Sequence, residues 1–126
     1  MKLSTVYLDQ RGTAAVEFGL TAPVFFLTIF AILEFSLIVW TQLGLQHGVE
    51  MAARCASINT TLCGSTTSAQ SFAAQEAFGL NPPPETFDIT TQGCGTMVTA
   101  NFTYYFLTSY VGGPTLALNA QSCFPK

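Results

Sequence analysis

The sequence predicts an α+β protein in which a long N-terminal helix precedes one small, disulfide-stapled domain. Three observations lead to this fold class. The segment over residues 12–40 is long and almost uniformly apolar, all four cysteines follow it, and the last third of the chain alternates apolar and polar residues. A continuous apolar run of this length is typical of a membrane-crossing helix, whereas alternation with period two is typical of β-strands.

The apolar segment is long enough to span a membrane. Between Phe18 and Trp40 the only ionisable residue is Glu34. A helix over these residues rises about 1.5 Å per residue, or about 35 Å in all, which is enough to cross a bilayer core. We therefore predict a transmembrane part over residues 18–40 within a helix over residues 13–57. A cleaved secretory signal is the alternative, but its apolar part is about 7–15 residues long.

Basic residues flank the apolar segment on its N-terminal side only. Lys2 and Arg11 precede it, whereas the next basic residue, Arg54, comes well after it. Because Lys and Arg accumulate on the cytoplasmic side of a membrane span, the N-terminus is expected in the cytoplasm. The cysteine-bearing domain is then expected in an oxidising compartment outside that membrane.

Residues 58–126 are predicted to form a single domain with a short helix and a three-stranded antiparallel meander. Several N-cap candidates over residues 65–68 precede the short helix, and Gly79 is well placed to end it. The last two strands are joined through residues 109–114. The alternation places one apolar face on the three strands, listed in chain order: Phe87 and Ile89; Val98, Ala100, Phe102, Tyr104 and Phe106; Leu116, Leu118 and Ala120.

The four cysteines are expected to form two structural disulfide bonds, because so small a domain has a thin core. Cys55 and Cys63 bracket a short loop, and the open end of the last hairpin brings Cys94 near Cys123. This pairing would need a β-bulge, since Cys94 shares the core-facing parity of its strand and Cys123 does not. All three connectivities therefore stay open. The spacing contains no C-x-x-C motif, which argues against a zinc or redox site.

Composition and side-chain inventory argue against several classes of function. The net charge is −3 and only 9% of residues are charged, so there is no basic patch for nucleic acid. After the apolar segment the acidic residues are Glu50, Glu76, Glu85 and Asp88, and His47 is the only histidine. Nothing in this set converges on a catalytic or metal-binding pattern. We expect no enzyme activity, cofactor, metal or small-molecule substrate.

The N-terminal half of the chain carries a recognisable set of motifs. These are RGTAAVEF at residues 11–18, AP at 22–23, EF at 34–35 and AAR at 52–54. Together they resemble the TadE-like pseudopilins of tight-adherence (Tad) pilus systems, over about residues 10–56. The resemblance implies a leader over residues 1–12 that a prepilin peptidase removes by cutting between Gly12 and Thr13. Glu17 would then be the fifth mature residue, as in type IV pilins, many of which begin with Phe rather than Thr.

The resemblance also implies a cellular setting. The partners would be other pilins and pseudopilins, the pilus assembly platform of the bacterial inner membrane, the prepilin peptidase and the lipid bilayer. The chain would be a single-pass inner-membrane protein with its C-terminal domain in the periplasm, and it could reach the pilus or the cell surface. The alternative is a signal-anchored periplasmic binding module that never enters a pilus.

Two carboxylates of the apolar helix are candidate assembly residues. In the pilin-like interpretation, Glu17 neutralises the new N-terminal ammonium of a neighbouring subunit; otherwise its side chain reaches interfacial water. Glu34 lies deeper, where a charge costs about 2.5–3.5 kcal/mol at mid-membrane. It would either contact a partner subunit or form a neutral, hydrogen-bonded carboxyl within the bilayer. The two residues lie about 100° apart around an ideal helix, so they do not form a catalytic pair.

Overall fold

The computed structural model describes residues 10–126, and the predicted fold class is confirmed. Three helices and three strands follow one another in the order α1 (Gln10–Ile58), α2 (Thr60–Cys63), α3 (Thr66–Glu76), β1 (Phe87–Gln92), β2 (Gly95–Tyr105) and β3 (Thr115–Phe124). Short 3₁₀ turns lie at Pro84–Thr86 and Leu107–Val111. Lys2 and most of the predicted leader lie outside the described residues.

The chain divides into two compact units, the first ending at Phe35 and the second comprising Ser36–Lys126. In the first unit the described residues belong to α1, and its large apolar side chains are exposed. The most apolar 18-residue window of α1 has a mean hydropathy of 2.3, and 0% of that window is buried. The core helix of a soluble protein would bury such a surface. By length and composition, α1 is able to cross a membrane.

The second unit contains the sheet, whose strands lie in the order β1-β2-β3 with antiparallel neighbours. Phe87 pairs with Ala100, and Ala100 pairs with Ala120, in ladders that run without an inserted residue. The predicted core face is confirmed, because Val98, Ala100, Leu118 and Ala120 are buried. β2 ends one residue before Phe106, which the alternation had placed in the strand.

The C-terminal half of α1 supplies one wall of the core in this unit. Its buried residues recur at spacings of three and four, as expected for one face of a helix: Thr41, Gly44, Leu45, Gly48, Val49, Ala52 and Ala53. The apolar members pack with Ala73, Ala74 and Ala77 around α3 and with Phe87 of the sheet. The face is rich in small residues, and α1 and α3 approach closely at its glycines.

Two glycines make that approach possible. A methyl group added at Gly48 would lie 2.7 Å from the carbonyl oxygen of Ala73. One added at Gly44 would lie 2.9 Å from the carbonyl oxygen of Ala77 and 2.6 Å from Cδ1 of Leu80. Any larger side chain would push α3 away from α1.

Capping side chains set the boundaries between the helices. α1 ends at Ile58, and the side chain of the next residue, Asn59, accepts hydrogen bonds from the N–H groups of Thr61 and Leu62, at 3.1 Å each. The expected loop between Cys55 and Cys63 therefore contains the short helix α2. Ser65 caps α3 through a capping box with Ser68, within the range predicted from the sequence.

Candidate processing and assembly site

The residues of the predicted cleavage site lie near the start of α1 and are exposed. Gly12 and Thr13 are both in the helix, and nothing lies within 4 Å of the position that a Cβ of Gly12 would take. The helix begins at Gln10, so it includes the last residues of the predicted leader as well as the predicted mature N-terminus. The bond between Gly12 and Thr13 thus lies on an open surface of the first turn.

Glu17 lies one helical turn beyond Thr13, on the same face of α1. Its side chain is exposed, and its backbone carbonyl accepts a hydrogen bond from Oγ1 of Thr21 at 3.0 Å. The two Cα positions are separated by about 6 Å along the helix axis. Cleavage before Thr13 would therefore create an ammonium group close to a carboxylate.

Glu34 is half-buried and lies about 25 Å from Glu17 along the helix axis. The two carboxylates belong to one continuous helix, which keeps them apart. Any contact that Glu34 makes during assembly is therefore separate from the N-terminal carboxylate. The apolar side chains on both sides of it, Leu33 and Phe35, are exposed.

The sequence of α1 is similar to a known protein family over part of the chain. Residues 12–54 match the family described as TadE-like protein. The match begins at the predicted cleavage residue Gly12 and ends at Arg54, one residue before the first cysteine. The resemblance inferred from the motifs is therefore confirmed over these residues. No curated protein and no solved structure matches the chain.

The domain that follows the TadE-like segment contains two disulfide bonds. Cys55 is bonded to Cys63, and Cys94 is bonded to Cys123. The β-bulge expected for the second bond is not present, because Cys94 lies in the two-residue turn between β1 and β2 rather than in a strand. The alternation rule does not apply in a turn. The first bond ties the end of α1 to α2, and the second ties this turn to the end of β3.

Side-chain contacts of His47, a few residues after the apolar part of α1, were not visible in the sequence. Nδ1 of His47 lies 2.8 Å from the carbonyl oxygen of Glu76, and its ring stacks on Phe78 with centroids 4.5 Å apart. The single histidine therefore helps to hold the end of α3 against α1. Among the described residues, no group of three or more His, Cys, Asp or Glu side chains could hold a metal ion. The signal that could have located this contact surface is the small-residue spacing of Gly44, Gly48 and Ala52.

Proposed function

We propose that the protein is a pseudopilin, or minor pilin, of a Tad-type pilus system. The observation that carries this proposal is the TadE-like match over residues 12–54, which starts at the glycine where a prepilin peptidase would cut. The exposed site at Gly12 and Thr13 and the carboxylate of Glu17 one turn later support it. The chain is a structural subunit in this proposal.

The exposed apolar surface of α1 has two successive partners in this function. Before assembly it is covered by lipid, with the N-terminus in the cytoplasm and the C-terminal domain in the periplasm. During assembly the helix leaves the bilayer and packs against the helices of neighbouring pilins. Lipid and neighbouring helices both keep side chains such as Phe18, Leu20 and Leu27 out of water. Exposure of apolar surface to water is unfavourable in free energy.

Glu17 stabilises the N-terminus when the helix moves from the bilayer into the pilus. Moving a new N-terminal ammonium from the membrane surface into a bundle of apolar helices is unfavourable unless a carboxylate pairs with it. Glu17 supplies that charge from a neighbouring subunit. Because it sits beside the N-terminus of its own chain as well, pairing also fixes the axial offset between adjacent helices.

Processing is tested with Gly12→Val in cells that contain or lack the prepilin peptidase. In peptidase-containing cells the membrane-bound wild-type chain should begin at Thr13, as read by the mass of its N-terminal peptide. The Gly12→Val chain, and the wild-type chain in cells without the peptidase, should keep the leader. An intact leader as the dominant wild-type species in peptidase-containing cells would contradict the proposal and favour a permanently anchored module.

A further inference from the structure

The tip of the β2–β3 hairpin, defined here as residues 105–114, presents an uncharged apolar surface to the solvent. Its large exposed side chains are Tyr105, Leu107, Tyr110 and Val111, of which the last two are 85% and 88% exposed. The sequence from Ile89 to Pro125 contains no Asp, Glu, Lys or Arg. A cluster of exposed apolar side chains with no charge among them is typical of a surface that another phase or molecule covers.

Two hydrogen bonds show where the hairpin tip lies along α1 in the second unit. Oγ of Ser57 donates to the carbonyl oxygen of Phe124 at 3.2 Å, and Nε2 of Gln42 donates to that of Asn119 at 2.8 Å. The C-terminal end of β3 therefore lies near Ser57, and its N-terminal end points toward the start of the second unit. The four strand residues before Asn119 extend about 14 Å further in that direction. The hairpin tip thus lies at the end of the unit that contains residues 36–40.

Other exposed aromatic side chains lie at the same end. The ring of Trp40 lies 5.9 Å from that of Phe78, and both side chains are about half exposed. Trp and Tyr side chains are enriched at membrane–water interfaces, because an apolar ring and a polar group can each face a suitable medium. The two basic residues of this unit lie toward its opposite end. Arg54 is in the last turns of α1, close to Ser57, and Lys126 follows the end of β3.

The backbone of the hairpin tip is also suited to a lipid surface, where unpaired polar groups are costly. The N–H of Ser109 donates to the carbonyl oxygen of Phe106 at 2.9 Å. The N–H groups of Gly112 and Gly113 donate to Ser109 at 3.1 Å and to Thr108 at 2.9 Å. Gly112 has φ = 88°, a conformation that favours glycine and lets the turn close. The loop therefore satisfies much of its own hydrogen bonding.

We propose that the hairpin tip is a second membrane contact, which rests in the lipid–water interface beside the point where α1 leaves the bilayer. Tyr105, Leu107, Tyr110 and Val111 would lie among the lipid headgroups and upper acyl chains. The inference rests on the proposed anchoring of α1 in the membrane, and not on assembly into a pilus. Lipid is favoured over a protein partner because the hairpin tip lies at the same end of the second unit as Trp40, the last residue of the predicted transmembrane part. This contact holds the domain against the bilayer before assembly.

Brominated lipids test the contact, since bromine on the upper acyl chains quenches a tryptophan at that depth. Trp40 is the only tryptophan, so Trp40→Phe leaves a chain into which one reporter can be introduced. Tyr110→Trp and, separately, Val111→Trp place it in the tip at highly exposed positions. Gln92→Trp in the same background is the matched control, at the exposed turn end of β1. Each full-length chain, with both disulfides verified by its unreactive cysteines, is reconstituted in phosphatidylcholine–phosphatidylglycerol vesicles.

Both tip reporters should show blue-shifted emission and lose most of it in brominated vesicles, whereas the control should keep a water-like spectrum. If the tip reporters behave like the control while Trp40 of the wild-type chain is quenched, the second contact is refuted and the anchor stands. If wild-type Trp40 is not quenched either, the anchor and this inference both fail. Water-like tip reporters in vesicles that become blue-shifted in sheared pili would assign the surface to a neighbouring subunit, which also overturns the proposal.

Discussion

Gly48 shows how one residue controls the packing of a whole helix, because a Cβ there would meet the backbone of α3. Gly48→Val should therefore lower the free energy of unfolding of the second unit by about 1–3 kcal/mol, the usual cost of overpacking. Urea unfolding of the full chain in detergent, followed by circular dichroism, measures this. Gly19→Val is the matched control, since nothing lies within 4 Å of its added Cβ. Equal stability of the two variants would contradict the close contact.

Substitutions of Glu17 should affect incorporation into pili and no earlier step. Glu17→Ala and Glu17→Gln should leave membrane insertion, cleavage and disulfide formation unchanged, because none of these steps uses the carboxylate. Incorporation into pili should fall, and Glu17→Asp should give an intermediate level because it keeps the charge on a shorter side chain. The measurement is the ratio of this chain in sheared pili to that in membranes.

Glu34→Gln is the comparison for this experiment, since it removes a second carboxylate of the same helix about 25 Å away. If Glu34→Gln reduces incorporation as strongly as Glu17→Gln does, then the loss of any carboxylate from the apolar segment lowers incorporation, and Glu17 has no special role. Wild-type incorporation of Glu17→Ala would refute the assembly role of Glu17.

At the scale of elements, the two disulfide bonds should differ in their contribution to stability. They join cysteines separated by 8 and 29 residues. The loop-entropy relation gives about 2.5 kcal/mol for the shorter loop and about 3.6 kcal/mol for the longer one. The double variant Cys94→Ser/Cys123→Ser should therefore unfold at lower urea than Cys55→Ser/Cys63→Ser and should accumulate less in cells. The reverse order would show that loop entropy does not dominate here.

The N-cap of α3 should contribute less to the free energy of unfolding than either disulfide bond. The side-chain oxygen of Ser65 accepts a hydrogen bond from the N–H of Ser68 at 3.1 Å. Ser65→Ala should cost about 1 kcal/mol of unfolding free energy, since the N–H loses its partner at the helix end. Thr67→Ala changes an exposed residue of the same turn that caps nothing, and should be close to neutral. Indistinguishable urea midpoints would argue against the cap.

Elements whose signal is local were predictable from the sequence, and those that depend on distant partners were not. The alternation at Val98 and Ala100 identified the buried face of β2 because period two is a property of the strand itself. Cys94 was misplaced in a strand, since Gly93 and Gly95 on either side of it are as compatible with a β-bulge as with a two-residue turn. The residues between Cys55 and Cys63 were predicted as a loop, because an N-cap residue such as Asn59 does not by itself show that a four-residue helix follows.

Contacts across the fold set a further limit on what the sequence revealed. The hydrogen bond from Gln42 to Asn119 joins residues 77 positions apart, and its acceptor is a backbone carbonyl that every residue possesses. The location of the hairpin tip follows from that contact. By contrast, the apolar segment could be identified from the sequence, because hydropathy does not depend on contacts with distant residues.

For the molecule as a whole, the two units have opposite relations to their surroundings. The second unit buries its apolar residues internally, around Leu45, Val49 and Phe87. The large apolar side chains that the structure describes in the first unit are exposed, and lipid or other helices outside the chain would cover them. The proposed pilus subunit needs this combination, since its helix would change surroundings on assembly while its disulfide-bonded domain keeps its fold.

Mass spectrometry of pili sheared from wild-type cells, with membranes of the same cells as the reference, tests the proposed pilus role directly. The pili should contain this chain as a species that begins at Thr13 and has all four cysteines oxidised. The same fraction from cells without the prepilin peptidase should lack it. Recovery of the chain only in membranes, while the other pilins are found in the sheared fraction, would contradict its role as a pilus subunit.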